Sequence, residues 1–94
     1  MSRYGIRYSI RRTIAGWLVT TPNDGYTFAP SHAAAIEQVA AYEVSRLGGW
    51  DWWPRPVPGA VYLVNAHTGA THRFHNHQQA ALFLTALQHR KAAA

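Results

Sequence analysis

RYGIRYSIRRTIAGWLVTTPNDGYTFAP, residues 3–30, decides the fold. Tyr4, Ile6, Tyr8, Ile10 and Ile14 fall on one parity, and Arg3, Gly5, Arg7, Ser9, Arg11 and Thr13 on the other. A period of two is a strand with one buried and one wet face. Arg12 lands on the apolar parity, which places it beyond the core edge or at a bulge. Ala15-Gly16 forms a two-residue turn that sets Ile14 beside Trp17, Arg12 beside Val19 and Ile10 beside Thr21. Pro22-Asn23-Asp24-Gly25 is a second turn, and as a four-residue loop it pairs Thr21 with Tyr26 and Val19 with Phe28. Trp17, Val19 and Phe28 then share the core face of a three-stranded meander.

Downstream of the meander, Ser31 is a favoured N-cap for the Ala-rich stretch SHAAAIEQVAAYEVSRLGG. Ile36, Val39, Ala40 and Leu47 recur there at helical spacing, and Gly48-Gly49 supplies the stop. WDWWPRPVPG, residues 50–59, reads as a linker, because Pro54, Pro56 and Pro58 exclude a central strand. AVYLVNA and ATHRF read as strands joined by a turn at His67-Thr68-Gly69, with Val64 beside His72 and Tyr62 beside Phe74. Asn76, with Gln79 three residues on, caps a helix that carries Ala80, Phe83, Leu84 and Leu87 inward. GWLV over VYLV, and Ser31-His32 over Asn76-His77, share an offset of 45 and mark two similar ββα units. The expected fold is α+β. One antiparallel sheet of about five strands carries two helices on one face, in the order β-β-β-α-linker-β-β-α. Residues 1–94 form a single domain, with halves 1–49 and 60–94 joined by the Trp/Pro-rich linker 50–59.

Composition bounds the function. Ninety-four residues, 48% apolar and 13% aromatic, suit one thin-cored domain and not a disordered tail. The absence of cysteine removes disulfide, zinc-finger and thiol chemistry. No apolar run approaches the ~18 residues of a membrane span, and MSRYGIRYSIRR has no apolar signal region, so a soluble, cytoplasmic protein is expected. Nine Lys and Arg against four Asp and Glu give a net charge of +5, with Lys91 the only lysine. That balance favours nucleic acid or an acidic protein as partner. Arg suits both, because its guanidinium forks onto phosphate or carboxylate and stacks on rings.

Two sets of residues are candidate contact sites. Arg3, Arg7 and Arg11 share the strand face opposite the helices and span ~27 Å, a length over which several phosphates are met. Arg12 adds to this nucleic-acid-binding set, and such a row also protects an edge strand from pairing. Trp50, Trp52, Trp53 and Arg55 are of the types enriched in protein-binding hot spots, and stacked rings also suit single-stranded nucleic acid. The competing reading makes the indoles an end-plug of the core. His67, His72, His75 and His77 lack metal-ligand spacing and have no nearby carboxylate, and the letters His-Asn-His do not make an HNH nuclease. Asp24, Glu37, Glu43 and Asp51 form no acid–base pair, so no metal, cofactor or catalytic residue is assigned.

Residues 7–43 resemble the arm-site-binding N-terminal domain of phage integrases in their Trp-containing meander, Gly turn, Phe before the helix and Ala-rich helix. Trp17, Gly25, Phe28 and the 31–47 helix occupy those places. The resemblance implies a sheet entering the major groove, with Arg3, Arg7, Arg11 and Trp17 lining or supporting the DNA side. It covers the first half only and lacks that family's lysine-rich character. In its Ala- and Arg-rich composition the chain is similar to the small orphan proteins of actinobacterial phages. THRF resembles the Gly-Ser-His stretch of HicA-type ribonuclease toxins, with His72 in the place of their histidine, but the family's first helix is missing.

These readings converge on a non-enzymatic, basic accessory factor of a phage or bacterium, located in the (host) cytoplasm. Its expected partner is a host or assembly protein held by the Trp/Arg loop, and the chain is free to oligomerise. The alternative is DNA or RNA on the Arg-lined sheet face. A small ribonuclease toxin centred on His72 is a third reading.

Overall fold

The computed structural model describes residues 8–22 and 25–93. Along the chain lie β1 (Ser9–Thr13), β2 (Gly16–Thr20), β3 (Tyr26–Ala29), α1 (His32–Gly48), β4 (Trp52–Val57), β5 (Ala60–Asn65), β6 (Thr71–Phe74) and α2 (His77–Ala93). The strands form two separate three-stranded antiparallel sheets, β1-β2-β3 and β4-β5-β6, in place of the expected single sheet of about five strands. The difference comes from residues 50–59. Most of the expected linker is strand β4, paired with β5 from Trp52↔Asn65 to Val57↔Ala60. Prolines are tolerated because β4 is an edge strand. Pro54 and Pro56 alternate, so both missing donors fall on the same side of the strand. Trp53, Arg55 and Val57 remain to bond β5. Pro58-Gly59, with Gly59 at φ 78°, makes the tight turn between them.

The chain divides into two compact units, Met1–Val39 and Ala40–Ala94. Helix α1 therefore supplies its first turns to one unit and its remainder to the other. Its start is capped as expected, Ala34 N donating to Ser31 Oγ at 3.1 Å. Gly49 at φ 55° follows its end.

In the first unit Val19, Ala29 and Ala35 are buried, with Ile10, Trp17, Ala34 and Val39 packed on them. The first hairpin turns at Ile14-Ala15, so the register is Arg12↔Trp17 and Ile10↔Val19. Relative to the expected pairing the register shifts by two residues. Faces are preserved, but Ile14 is lost from the core to a fully exposed turn. Thr13 Oγ1 donates to the Gly16 carbonyl at 2.8 Å, and Gly16 sits at φ 127°. Arg12 on the apolar parity is explained by its cross-strand partner, since its guanidinium lies 6.0 Å above the Trp17 ring.

The β2–β3 register departs more seriously. Leu18 pairs with Phe28 and Val19 with Thr27, a one-residue slip from the expected Val19–Phe28 pair. Such a slip exchanges the faces of a strand. Ala29 goes into the core, while Phe28 (47%) and Tyr26 (67%) face solvent. The loop is one residue longer than expected, closed by Thr21 N donating to the Gly25 carbonyl at 2.9 Å. Thr27 Oγ1 donates to Gln38 Oε1 at 2.6 Å, tying the inner face of β3 to α1.

In the second unit Val44, Val61, Leu63, Ala80 and Leu84 are buried. Leu47, Trp52, Phe74, Phe83 and Leu87 pack around them. Leu63 pairs with His72 and Val61 with Phe74. Val61 and Leu63 therefore face inward, and Tyr62 and Val64, which the sequence paired with Phe74 and His72, face outward. Asn65 Oδ1 accepts from His67 N and Thr68 N, both at 2.9 Å, and builds the β5–β6 turn with Gly69 at φ 76°. Gln79 N donates to Asn76 Oδ1 at 2.9 Å and His75 N to Gln79 Oε1 at 3.3 Å, the anticipated capping exchange.

The two halves are both β-β-β-α, not ββα. An offset of 44 carries Thr13↔Gly16 onto Val57↔Ala60 and Val19 onto Leu63, both fully buried. An offset of 45 carries Ala29 onto Phe74 and His32 onto His77. The extra residue lies in the β5–β6 connection. A uniform offset of 45 fails because it maps inward Val19 onto outward Val64. No helix among the described residues is long and apolar enough to cross a membrane.

Candidate interaction faces

Strand alternation sends Trp53, Arg55 and Val57 of β4 to the face of the second sheet away from its helices. Trp52, Pro54 and Pro56 go to the other face. The Trp group is thereby divided. Trp52 joins the core, its ring 5.6 Å from Phe83 edge-on and 5.6 Å from His72. Trp53 is 58% exposed on the outer face, and Trp50 is 88% exposed in the α1–β4 connection. Arg55 is exposed beside Trp53 on that face.

Cross-strand pairing then assembles a surface that the spacing of residues did not announce. Arg55, Tyr62 and Arg73 form one row across the three strands, and Trp53, Val64 and Thr71 the next. Facing residues on neighbouring strands are about 5 Å apart, so Tyr62 stands between two guanidinium stems rooted about 10 Å from each other. A depression of about 320 Å³ is lined by Arg55, Val57, Tyr62, Val64 and Thr71.

The first sheet presents a surface of the same kind. Its rows are Arg11–Leu18–Phe28 and Ser9–Thr20–Tyr26, and the Tyr26 and Phe28 rings meet edge-on at 6.1 Å. Arg12 is separate, on the opposite parity over Trp17. Arg3 and Arg7 lie outside the described residues, so of the proposed row of arginines only Arg11 is placed.

Among the described residues, none of the six strands contains an acidic residue. Glu43 pairs with Arg46 within α1, and Asp51 Oδ1 meets His67 Nε2 at 2.8 Å. His72 lies against Trp52 and Phe83, its ring 5.1 Å from the latter. His77 opens α2. Among the described residues no three His, Asp or Glu side chains are grouped to hold a metal ion, and no polar side chain is buried.

Tyr62, Arg73, Tyr26 and Phe28 are the face residues that the sequence reading did not select. Arg73 carried a usable signal, since it alternates with inward His72 and Phe74 in THRF. Comparison of the chain with family models, with curated proteins and with solved structures finds no significant match.

Proposed function

We propose that the chain is a non-enzymatic binding protein whose outer β4–β5–β6 face takes single-stranded nucleic acid. The observation that carries this reading is the Arg55–Tyr62–Arg73 row beside exposed Trp53, on strands without a carboxylate. Unpaired bases stack on aromatic rings with little regard to sequence, each contributing about 1–3 kcal/mol. Arginines on either side of the ring meet the backbone phosphates, and carboxylates would repel them. Exposed rings favour a single strand over a duplex, whose bases are already stacked. The resemblance of residues 7–43 to arm-site-binding domains supports the broader idea of a sheet as the contact element. A phage or bacterial accessory role in the cytoplasm fits that chemistry.

A labelled oligonucleotide, as single strand and as duplex of equal length, is titrated at several salt concentrations. The single strand is expected to bind more tightly, and Arg55→Ala with Arg73→Ala to flatten the salt slope by about 1.4, at about 0.7 for each phosphate contact. Tighter duplex binding moves the reading to groove recognition. Absence of binding at low salt removes it.

Trp50 favours a second reading. It is the most exposed of the indoles and lies in the α1–β4 connection, outside the strands, where an exposed ring would serve as a protein-binding anchor. Trp50→Ala leaves oligonucleotide binding unchanged under the first reading. Under the second it weakens capture of an acidic protein partner.

A further inference from the structure

We infer that the outer face of β1–β2–β3 is a second site for single-stranded nucleic acid, so that one chain holds two strand segments. This rests on the function proposed for the other sheet and extends it by internal repetition. The offset of 44 that superposes the two hairpins in register places Arg11 on Arg55 and Leu18 on Tyr62. Both arginines stand at the first position of the row, on the face away from the helices.

Aromatic content is also conserved row by row, although the rings change strands. The first row carries Phe28 in one sheet and Tyr62 in the other. The second carries Tyr26 in one and Trp53 in the other. Each face thus offers two rings and at least one guanidinium. In the first sheet the rings are neighbours on β3, 6.1 Å apart, and both are open to solvent. β1, β2 and β3 contain no acidic residue, so the charge complement of this face is an anion. Rings and a single charge in that order match a stacked, singly charged repeat unit, which is a nucleotide.

The test counts ligands. A single-stranded oligomer of about six nucleotides, a site size within the range of small sheet-based binders, is titrated into the full chain well above its dissociation constant. Two oligomers per chain are expected. Arg11→Ala with Phe28→Ala should reduce the count to one, and Trp53→Ala with Arg55→Ala should also reduce it to one. All altered side chains are exposed, and melting confirms that each variant is folded. If the Phe28 variant melts early, Arg11→Glu alone replaces it. One oligomer per chain, lost with the Trp53 and Arg55 changes and indifferent to those at Arg11 and Phe28, overturns the second site and leaves the proposed function standing. No binding by the parent chain overturns both.

Discussion

Replacing the three clustered tryptophans one at a time separates core from contact surface. Trp52 is half-buried, with its ring against Phe83 and His72 and its Cβ close over Gly48. Truncating a fully buried Trp costs about 3–5 kcal/mol. Partial exposure of Trp52 brings Trp52→Ala to about 2–3 kcal/mol. A chain of this length has a total stability of roughly 5–14 kcal/mol. Each kcal/mol moves the melting temperature by about 4–8 °C, so Trp52→Ala should melt roughly 10–20 °C below the parent. Trp53→Ala and Trp50→Ala remove rings that are mostly in water and should change stability by no more than about 0.5 kcal/mol. Thermal melts followed by far-ultraviolet circular dichroism read all three, with Trp52→Phe as the ring-preserving control that recovers part of the loss. A Trp53→Ala variant melting far below the parent while Trp52→Ala melts near it would mean that the alternation of β4 is reversed. The outer face described above would then not exist.

Two further expectations test the first unit. At Gly16 the φ of 127° and a Cβ that would lie 3.0 Å from the Ala29 carbonyl oxygen make Gly16→Ala cost more than Gly59→Ala. The latter meets open space at φ 78° and pays only about 1–2 kcal/mol for the left-handed backbone; urea denaturation ranks the pair, and equal losses refute the close approach. Phe28→Ser should be near neutral in stability while Ala29→Leu loses about 1–3 kcal/mol by overpacking, and the reverse order would restore the Val19–Phe28 register.

Capping and helix-stop signals in the sequence were reliable, and turn placements and strand registers were not. The Ser31 and Asn76 caps, the Gly48-Gly49 stop and the inward set Ala80, Phe83, Leu84 and Leu87 are all decided within a few residues of themselves. The β2–β3 pairing is decided by a loop one residue longer than its turn chemistry implied, and one residue exchanges the faces of β3. Hydrophobicity misleads there, because Phe28 outweighs Ala29, yet the inner face packs small side chains, Ala29 against Ala34 and Ala35. In AVYLV the apolar run has no alternation, so Val61 and Leu63 could not be told from Tyr62 and Val64 without the pairing to Phe74 and His72. β4 was hidden by its prolines, which forbid a central strand and permit an edge.

The candidate faces were hidden for the same reason. Arg55 and Trp53 were visible as residue types, but their neighbours Tyr62 and Arg73 come from strands whose faces depend on register. An antiparallel sheet covered on one side ordinarily presents polar side chains on the other. Here the uncovered positions include Trp53, Val57, Tyr62 and Val64 in one sheet and Leu18, Tyr26 and Phe28 in the other. Rings left more than half exposed, as Trp53 and Tyr26 are, gain little from folding, and a contiguous apolar face is a liability in water. Folding stability therefore does not account for them, and the proposed occupant would. A second copy of the same face is a poor occupant, because pairing Arg55 and Arg73 with themselves sets like charges together with no carboxylate on any strand to offset them. A polyanion with flat, stackable groups satisfies both the rings and the guanidinium groups.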